Sequence, residues 1–176
     1  MKAIIVVDVV NGFCRTGNLS SERLAAVVPG IRTYLEREVA AGAALVFLAD
    51  THEPDDPEFA MFPPHCVVGT GEEEIVDELR ALAAGAAVVR KRRYSGFFGT
   101  DLERLLADLG PDVVEVVGVC TDICVLHTVA GLRARGYAVL VHKDLVETYD
   151  APGHDAEEFN RFALAHMRDV LGARVE

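Results

Sequence analysis

Short apolar runs recur along the chain, each followed by a longer stretch whose apolar residues return at helical spacing. Residues 3–7 are continuously apolar and end at Asp8, as expected for a strand covered on both faces. Residues 44–49 repeat this and end at Asp50, residues 86–90 give a short third strand before Lys91, and residues 113–119 and 137–141 give a fourth and a fifth. Residues 173–175 add a short edge strand. Helical spacing covers 24–41, with Pro29 near the start of its main segment, Ile31 and Leu35 on one apolar face and Gly42 as the stop. It returns at 72–84, with acids in the first turn, and at 100–109, where Thr100 is the expected N-cap and Glu103 completes a capping box. Two more helices are expected over 122–135 and 155–171. This alternation predicts an α/β fold of three αβα layers around a mostly parallel, five- or six-stranded sheet of order 3-2-1-4-5-6.

With no linker, repeat or low-complexity tract in 176 residues, one domain spanning 1–176 is expected. A net charge of −11 argues against nucleic acid or an anionic membrane as partner. Arg90, Lys91, Arg92 and Arg93 form the one basic cluster, and the three arginines read as a solvated patch. The chain enters its first strand without a leader, and no apolar run approaches the roughly 20 residues needed to span a bilayer, so a cytoplasmic location is expected. Cys14, Cys66, Cys120 and Cys124 read as free thiols, and the Cys120/Cys124 spacing is not the C-x-x-C of redox or zinc sites.

Candidate chemistry falls where a parallel sheet places it, beyond the C-terminal ends of strands. Asp8 ends strand one, Asp50 ends strand two, Lys91 follows strand three and Cys124 follows strand four. Strands one and four are neighbours in the expected order, so Asp8, Lys91 and Cys124 converge. Strand four runs almost directly into a helix, with Thr121 or Asp122 as N-cap, placing Cys124 in a positive field that favours thiolate. A lone cysteine on an apolar helix face is also what ordinary packing produces, and Asp8 with Lys91 is also what a structural ion pair looks like. Together the three make a nucleophile, a base and a charge partner. No phosphate-binding glycine motif follows strand one. The long segment 51–71 has no usable period and reads as functional. Within and beside it, Asp50, His52, Glu58 and His65 form an N/O ligand set without thiolate, suited to zinc, iron or manganese.

The segments Asp8-x-x-Asn11-Gly12-Phe13, Lys91-Arg-Arg-Tyr94-Ser-Gly-Phe97 and Gly118-Val-Cys-Thr-Asp-Ile-Cys124-Val together resemble the signature segments of the isochorismatase-like cysteine hydrolases, over essentially the whole chain. The resemblance implies Asp8 as general base, Lys91 as its charge partner and Cys124 as the acyl-forming nucleophile. It also implies a non-proline cis peptide at Val119–Cys120 and an oxyanion hole from the backbone amides of Cys120 and Cys124. The stretch Phe62-Pro-Pro-His65 resembles the metal loop of the nicotinamidase branch. That likeness implies one divalent ion, zinc first, on Asp50, His52, His65 and Glu58, and Phe13, Phe62 and Tyr94 around a pyridine ring. The implied reaction is hydrolysis of nicotinamide. The alternatives are a ureido or carbamoyl acid amidase, whose family relatives generally lack the metal loop, and a non-enzymatic metal- or redox-responsive binding module. Cys14 and Cys66 are read as structural, and His127, His142, His154 and His166 match no ligand position. Metal identity and homo-oligomerisation are left open.

Overall fold

The computed structural model describes residues 1–176. Its strands are β1 (Lys2–Val7), β2 (Ala44–Asp50), β3 (Ala87–Lys91), β4 (Val113–Val119), β5 (Val139–Glu147) and β6 (Arg174–Val175). They form one sheet of order β3-β2-β1-β4-β5-β6, every pair parallel. The sheet order is the expected one. Because the side-chain period of a strand is two, β1 sends Ile4 and Val6 to one face and Ala3, Ile5 and Val7 to the other. The first face is covered by α1 (Asn11–Cys14), α2 (Glu22–Ala26), α3 (Val28–Ala40) and α4 (Asp77–Ala83). The second is covered by α5 (Leu102–Leu109), α6 (Leu126–Ala134) and α7 (Ala156–Asp169). No helix is long and apolar enough to cross a membrane.

Four local expectations are corrected. The helix expected over 72–84 begins only at Asp77. The preceding residues form a turn and an isolated bridge of Ile75 to Val10, and the carbonyls of Glu74 and Glu72 there accept from the amides of Asn11 and Gly12 at the start of α1 at 2.9 and 2.8 Å. Thr100 caps the turn before α5 by accepting from the Leu102 amide at 3.3 Å, but Glu103 pairs with Arg135 instead of closing a capping box. Strand β5 runs past Val141 to Glu147, its register against β4 shifting between Val116 and Gly118. The polar insertion between Val141 and Val146 hid that continuation from an apolar pattern. Neither Thr121 nor Asp122 caps a helix after β4. Residues Thr121–Val125 form a π-helical turn behind Cys120, and α6 starts at Leu126.

Gly118 explains how β4 reaches the site. Its φ is +119°, and a Cβ there would run into the Val7 backbone. Only glycine lets β4 lie this close to β1 at the point where Asp8 leaves the sheet.

Candidate active site

Three strand ends place the first cluster. Asp8 follows β1 with φ of +51°, a conformation that costs a non-glycine residue about 1–3 kcal/mol and is found where the surroundings dictate it. Lys91 ends β3 and is paired in register with Asp50 at the end of β2. Asp8 is 0 % exposed and Lys91 1 % exposed, so their charges are compensated internally. Lys91 Nζ lies 2.7 Å from Asp8 Oδ2, 3.0 Å from Asp50 Oδ1 and 3.5 Å from Cys124 Sγ. The ammonium thus faces both carboxylates and the thiol at once.

The electrostatics divide the labour. Burial pushes the Asp8 carboxyl up to about 6, against the downward pull of Lys91 and of the Cys124 thiol. Its Oδ1 has no hydrogen-bond partner, which leaves an acceptor for a proton. Burial would raise Asp50 too, but Lys91, His52 and His65 hold its carboxyl below the ordinary range. Cys124 is pushed well above a normal thiol by burial, with Lys91 opposing. The expected lowering of the thiol pKa by a helix-terminal field is not found: Cys124 lies within a π-turn and is almost fully buried, and burial moves the thiol the other way. To act as a nucleophile it would need a base, and Asp8 is the carboxyl beside it.

Beyond β4 the peptide Val119–Cys120 is cis. The Cys120 carbonyl accepts from the amides of Ile123 and Val125, both at 3.1 Å, while the Cys120 amide itself donates to nothing. Cys120 and Cys124 both line a cavity of about 230 Å3.

The second cluster grows from β2 and the segment after it. Ligand atoms of Asp50, His52, Glu58 and His65, all buried, lie within 4.8 Å of one another. Asp50 Oδ2 is 2.9 Å from His52 Nε2 and 3.3 Å from His65 Nε2, and Glu58 Oε1 is 3.9 and 3.8 Å from the same nitrogens. His65 donates its Nδ1 proton to the Pro63 carbonyl at 2.9 Å, and His52 Nδ1 faces Asp56 Oδ2 at 3.1 Å. Both imidazoles turn Nε2 inward to the Asp50 carboxylate, so two ring nitrogens and the carboxylate oxygens of Asp50 and Glu58 converge. Such a set fits a divalent cation, with the outer partners fixing each ring's tautomer. The two clusters meet at one residue. Asp50 turns Oδ1 to Lys91 and Oδ2 to the imidazoles, joining them through one carboxylate.

Asp56 is the residue the sequence reading missed. It N-caps the short 3-10 turn Pro57–Ala60, accepting from the Glu58 amide at 2.9 Å, and so positions Glu58 as well as His52. Arg93, expected to be solvated, donates to Asp56 at 2.9 and 3.1 Å, and Arg90 pairs with Glu74 at 3.1 Å. A side chain capping its own turn, in a sequence with Asp55 beside it, gives no further signal. Phe13, Phe62 and Tyr94 all line the cavity, Phe62 and Tyr94 at right angles with centroids 6.5 Å apart. Cys66 and Cys14 are buried and pushed above a normal thiol by burial, Cys14 to about 12. The remaining histidines lie elsewhere: His142 bonds Tyr34 and Glu115, His127 the Ile123 carbonyl and His154 Asp122, and His166 stacks on Phe162.

The sequence matches the isochorismatase domain model over residues 2–173. The chain belongs to the isochorismatase family. Isochorismatase-family hydrolases, nicotinamidases among them, hydrolyse amides, which sets this chain among enzymes and against the binding-module alternative. Its fold is similar to a pyrazinamidase/nicotinamidase from Streptococcus mutans, with a TM-score of 0.90 and 31% identity over 100% of both chains. It is similar also to an N-carbamoylsarcosine amidase from Thermoplasma acidophilum, TM-score 0.86 and 34% identity over 99% of this chain and 95% of that one. A pyrazinamidase of Pyrococcus horikoshii in complex with zinc matches at TM-score 0.86 and 27% identity, over 99% of this chain and 98% of that one.

Proposed function

We propose that this isochorismatase-family hydrolase is a nicotinamidase, converting nicotinamide and water to nicotinate and ammonia through a thioester on Cys124. The observation that carries the reading is a single cavity lined by Cys124, by Asp50, Glu58 and His65 of the ligand cluster, and by the rings of Phe13, Phe62 and Tyr94. A nucleophile, an N/O ligand set and aromatic walls are what a flat heteroaromatic amide calls for.

In this reading Asp8 takes the thiol proton as Cys124 sulfur attacks the carboxamide carbon. The developing oxyanion is met by the backbone amides of Cys120 and Cys124. Collapse breaks the C–N bond, and Asp8 returns the proton to the leaving amine, releasing ammonia. Asp8 then deprotonates water, whose oxygen adds to the thioester carbon, and the sulfur leaves as the thiol with nicotinate as product. Lys91 steadies Asp8 in its ionised form and disfavours a second proton on Asp50. Asp50, His52, Glu58 and His65 would hold one divalent ion, zinc first and iron or manganese as alternatives. When bound, that ion supplies a Lewis-acidic point for the pyridine ring nitrogen. Phe13, Phe62 and Tyr94 confine the ring between them.

The likeness to the Thermoplasma amidase favours a second reading, hydrolysis of a carbamoyl acid. The convergent Asp50/His52/Glu58/His65 set weighs against it, since relatives of that activity generally lack this loop. An ammonia-release screen over nicotinamide and N-carbamoyl amino acids, with metal analysis of the same sample, separates the two. Release from nicotinamide by metal-bearing protein is expected; release only from the carbamoyl acids would overturn the assignment.

A further inference from the structure

The cavity has an outer wall whose attachment plays no part in the chemistry above. Tyr149, Asp150 and Ala151 line it from the segment between β5 and α7. That segment is folded on itself, the amides of Ala151 and His154 each donating to the other's carbonyl at 2.9 Å. His154 then fastens it to the nucleophile turn. Its Nε2 lies 2.8 Å from Asp122 Oδ2, and its Nδ1 lies 2.8 Å from the Tyr149 carbonyl oxygen. Both ring nitrogens face acceptors, so a ring that fills both bonds donates from both. The imidazole is sandwiched, stacked on Tyr149 at 4.2 Å and 4° and on Phe159 at 3.9 Å and 23°.

Asp122 belongs to the turn Thr121–Val125 that carries Cys124. Its second oxygen accepts from Thr148 Oγ1 at 2.6 Å, so the turn keeps one tie to the segment when the histidine is removed. The other charged groups nearby point elsewhere: Asp150 accepts from the Ala156 amide, and Arg23 reaches Glu147 at 3.1 Å and Asp150 at 3.7 Å. A charge-assisted bond to a carboxylate with 9% side-chain exposure is a stronger hold than a neutral one at the rim. Asp8 and Lys91 are placed by β1 and β3 and owe nothing to it.

We infer that His154 is a positioning residue: through Asp122 it locks the Tyr149–Asp150–Ala151 wall onto the nucleophile turn, setting how tightly the cavity holds its amide and how well Cys124 is shielded. The kinetic consequence rests on the reading of Cys124 as nucleophile, whereas the shielding does not depend on the substrate.

His154→Phe keeps the stacking and removes both hydrogen bonds. KM for whichever amide releases ammonia is expected to rise about tenfold or more, with kcat changed by less than about threefold, because the wall moves and the base and nucleophile do not. Alkylation of Cys124 by iodoacetamide without substrate, read by mass on the Cys124 peptide, is expected to accelerate. His154→Gln, which restores one donor toward Asp122, should fall between the two proteins. Unchanged KM and alkylation in folded His154→Phe would overturn the assignment, as would a loss confined to kcat. In the unsubstituted protein, 15N NMR should find a proton on the His154 nitrogen that faces Asp122, Nε2, and a bare Nε2 would overturn the bridge even if no variant folds. If no amide is hydrolysed, the functional reading fails, and the alkylation rates still decide the role of His154.

Discussion

Replacing Lys91 by alanine removes the buried cation that faces both Asp8 and Asp50. Lys91 Nζ is 2.7 Å from Asp8 and 3.0 Å from Asp50, giving about 6 and about 5.5 kcal/mol of Coulomb attraction at an effective dielectric near 20. Much of that offsets the desolvation of a side chain 1 % exposed, and breaking a buried pair costs about 3–5 kcal/mol net. That loss is expected for Lys91→Ala in urea unfolding at pH 7, on chelator-treated protein so that no bound ion replaces the ammonium beside Asp50. The pH dependence carries the sign. In the parent protein Asp50 is held below the ordinary carboxylate range, so its contribution is present above an unfolded value of about 3.9 and fades as pH falls through the folded value. Without Lys91, Asp8, already raised to about 6 in the parent, rises further, and burial carries Asp50 above its unfolded value as well. Their penalty is then full above the raised values and disappears as pH falls through them, so the gap between variant and parent should narrow from pH 7 to pH 5. A loss below about 1 kcal/mol, or a gap that widens on acidification, would refute the claim that Lys91 is the internal counter-ion.

Cys124→Ala should abolish ammonia release with the fold intact, and Cys124→Ser nearly so, whereas Cys120→Ala should be mild because the proposal uses its amide and not its thiol; the reverse pattern would move the nucleophile to Cys120. Asp8→Asn is expected to lower kcat by about 4 kcal/mol or more, without adding to the Lys91→Ala loss, because members of one catalytic unit fail together; additive losses in the double variant would separate them. Since Asp8 must be ionised to act, with burial pushing it up to about 6, kcat/KM should fall as pH drops through that value; a flat profile from pH 7 to 5 would exclude it as the base. Asp56→Ala should weaken zinc binding, measured by calorimetry, about 10- to 100-fold by freeing His52 and Glu58; unchanged affinity would show that Asp56 orients neither.

Much of this was legible because the relevant physics is periodic. Apolar runs marked the strands, β1 and β2 buried and β3 at the sheet edge, and each broke at a polar residue, Asp8, Asp50 or Lys91, that stands at a strand end. The sheet order brought those ends together. What stayed hidden depends on side chains meeting across distant segments. The carboxylate of Asp50 joins two clusters because β2 and β3 pair in a register no composition reveals. The π-turn at Thr121–Val125 forms where an N-cap was expected because Asp122 is engaged by Thr148 and His154. Glu72 to Val76 stay out of the helix because α1 needs acceptors, a tertiary demand that overrides helical spacing. Asp56 and His154 were missed for the same reason, since each is defined by what it touches.

If the Asp50, His52, Glu58 and His65 site holds an ion that meets the pyridine nitrogen, as proposed, the ring nitrogen decides between nicotinamide and other amides. In metal-loaded protein, kcat/KM for nicotinamide should exceed that for benzamide, of the same shape without the nitrogen, by about 10⁴-fold, whereas shape alone would separate them by only about 10²-fold. Picolinamide, with its nitrogen moved around the ring, should behave like benzamide. Equal kcat/KM for nicotinamide and benzamide would contradict the account and return the Asp50, His52, Glu58 and His65 cluster to a structural or water-activating part.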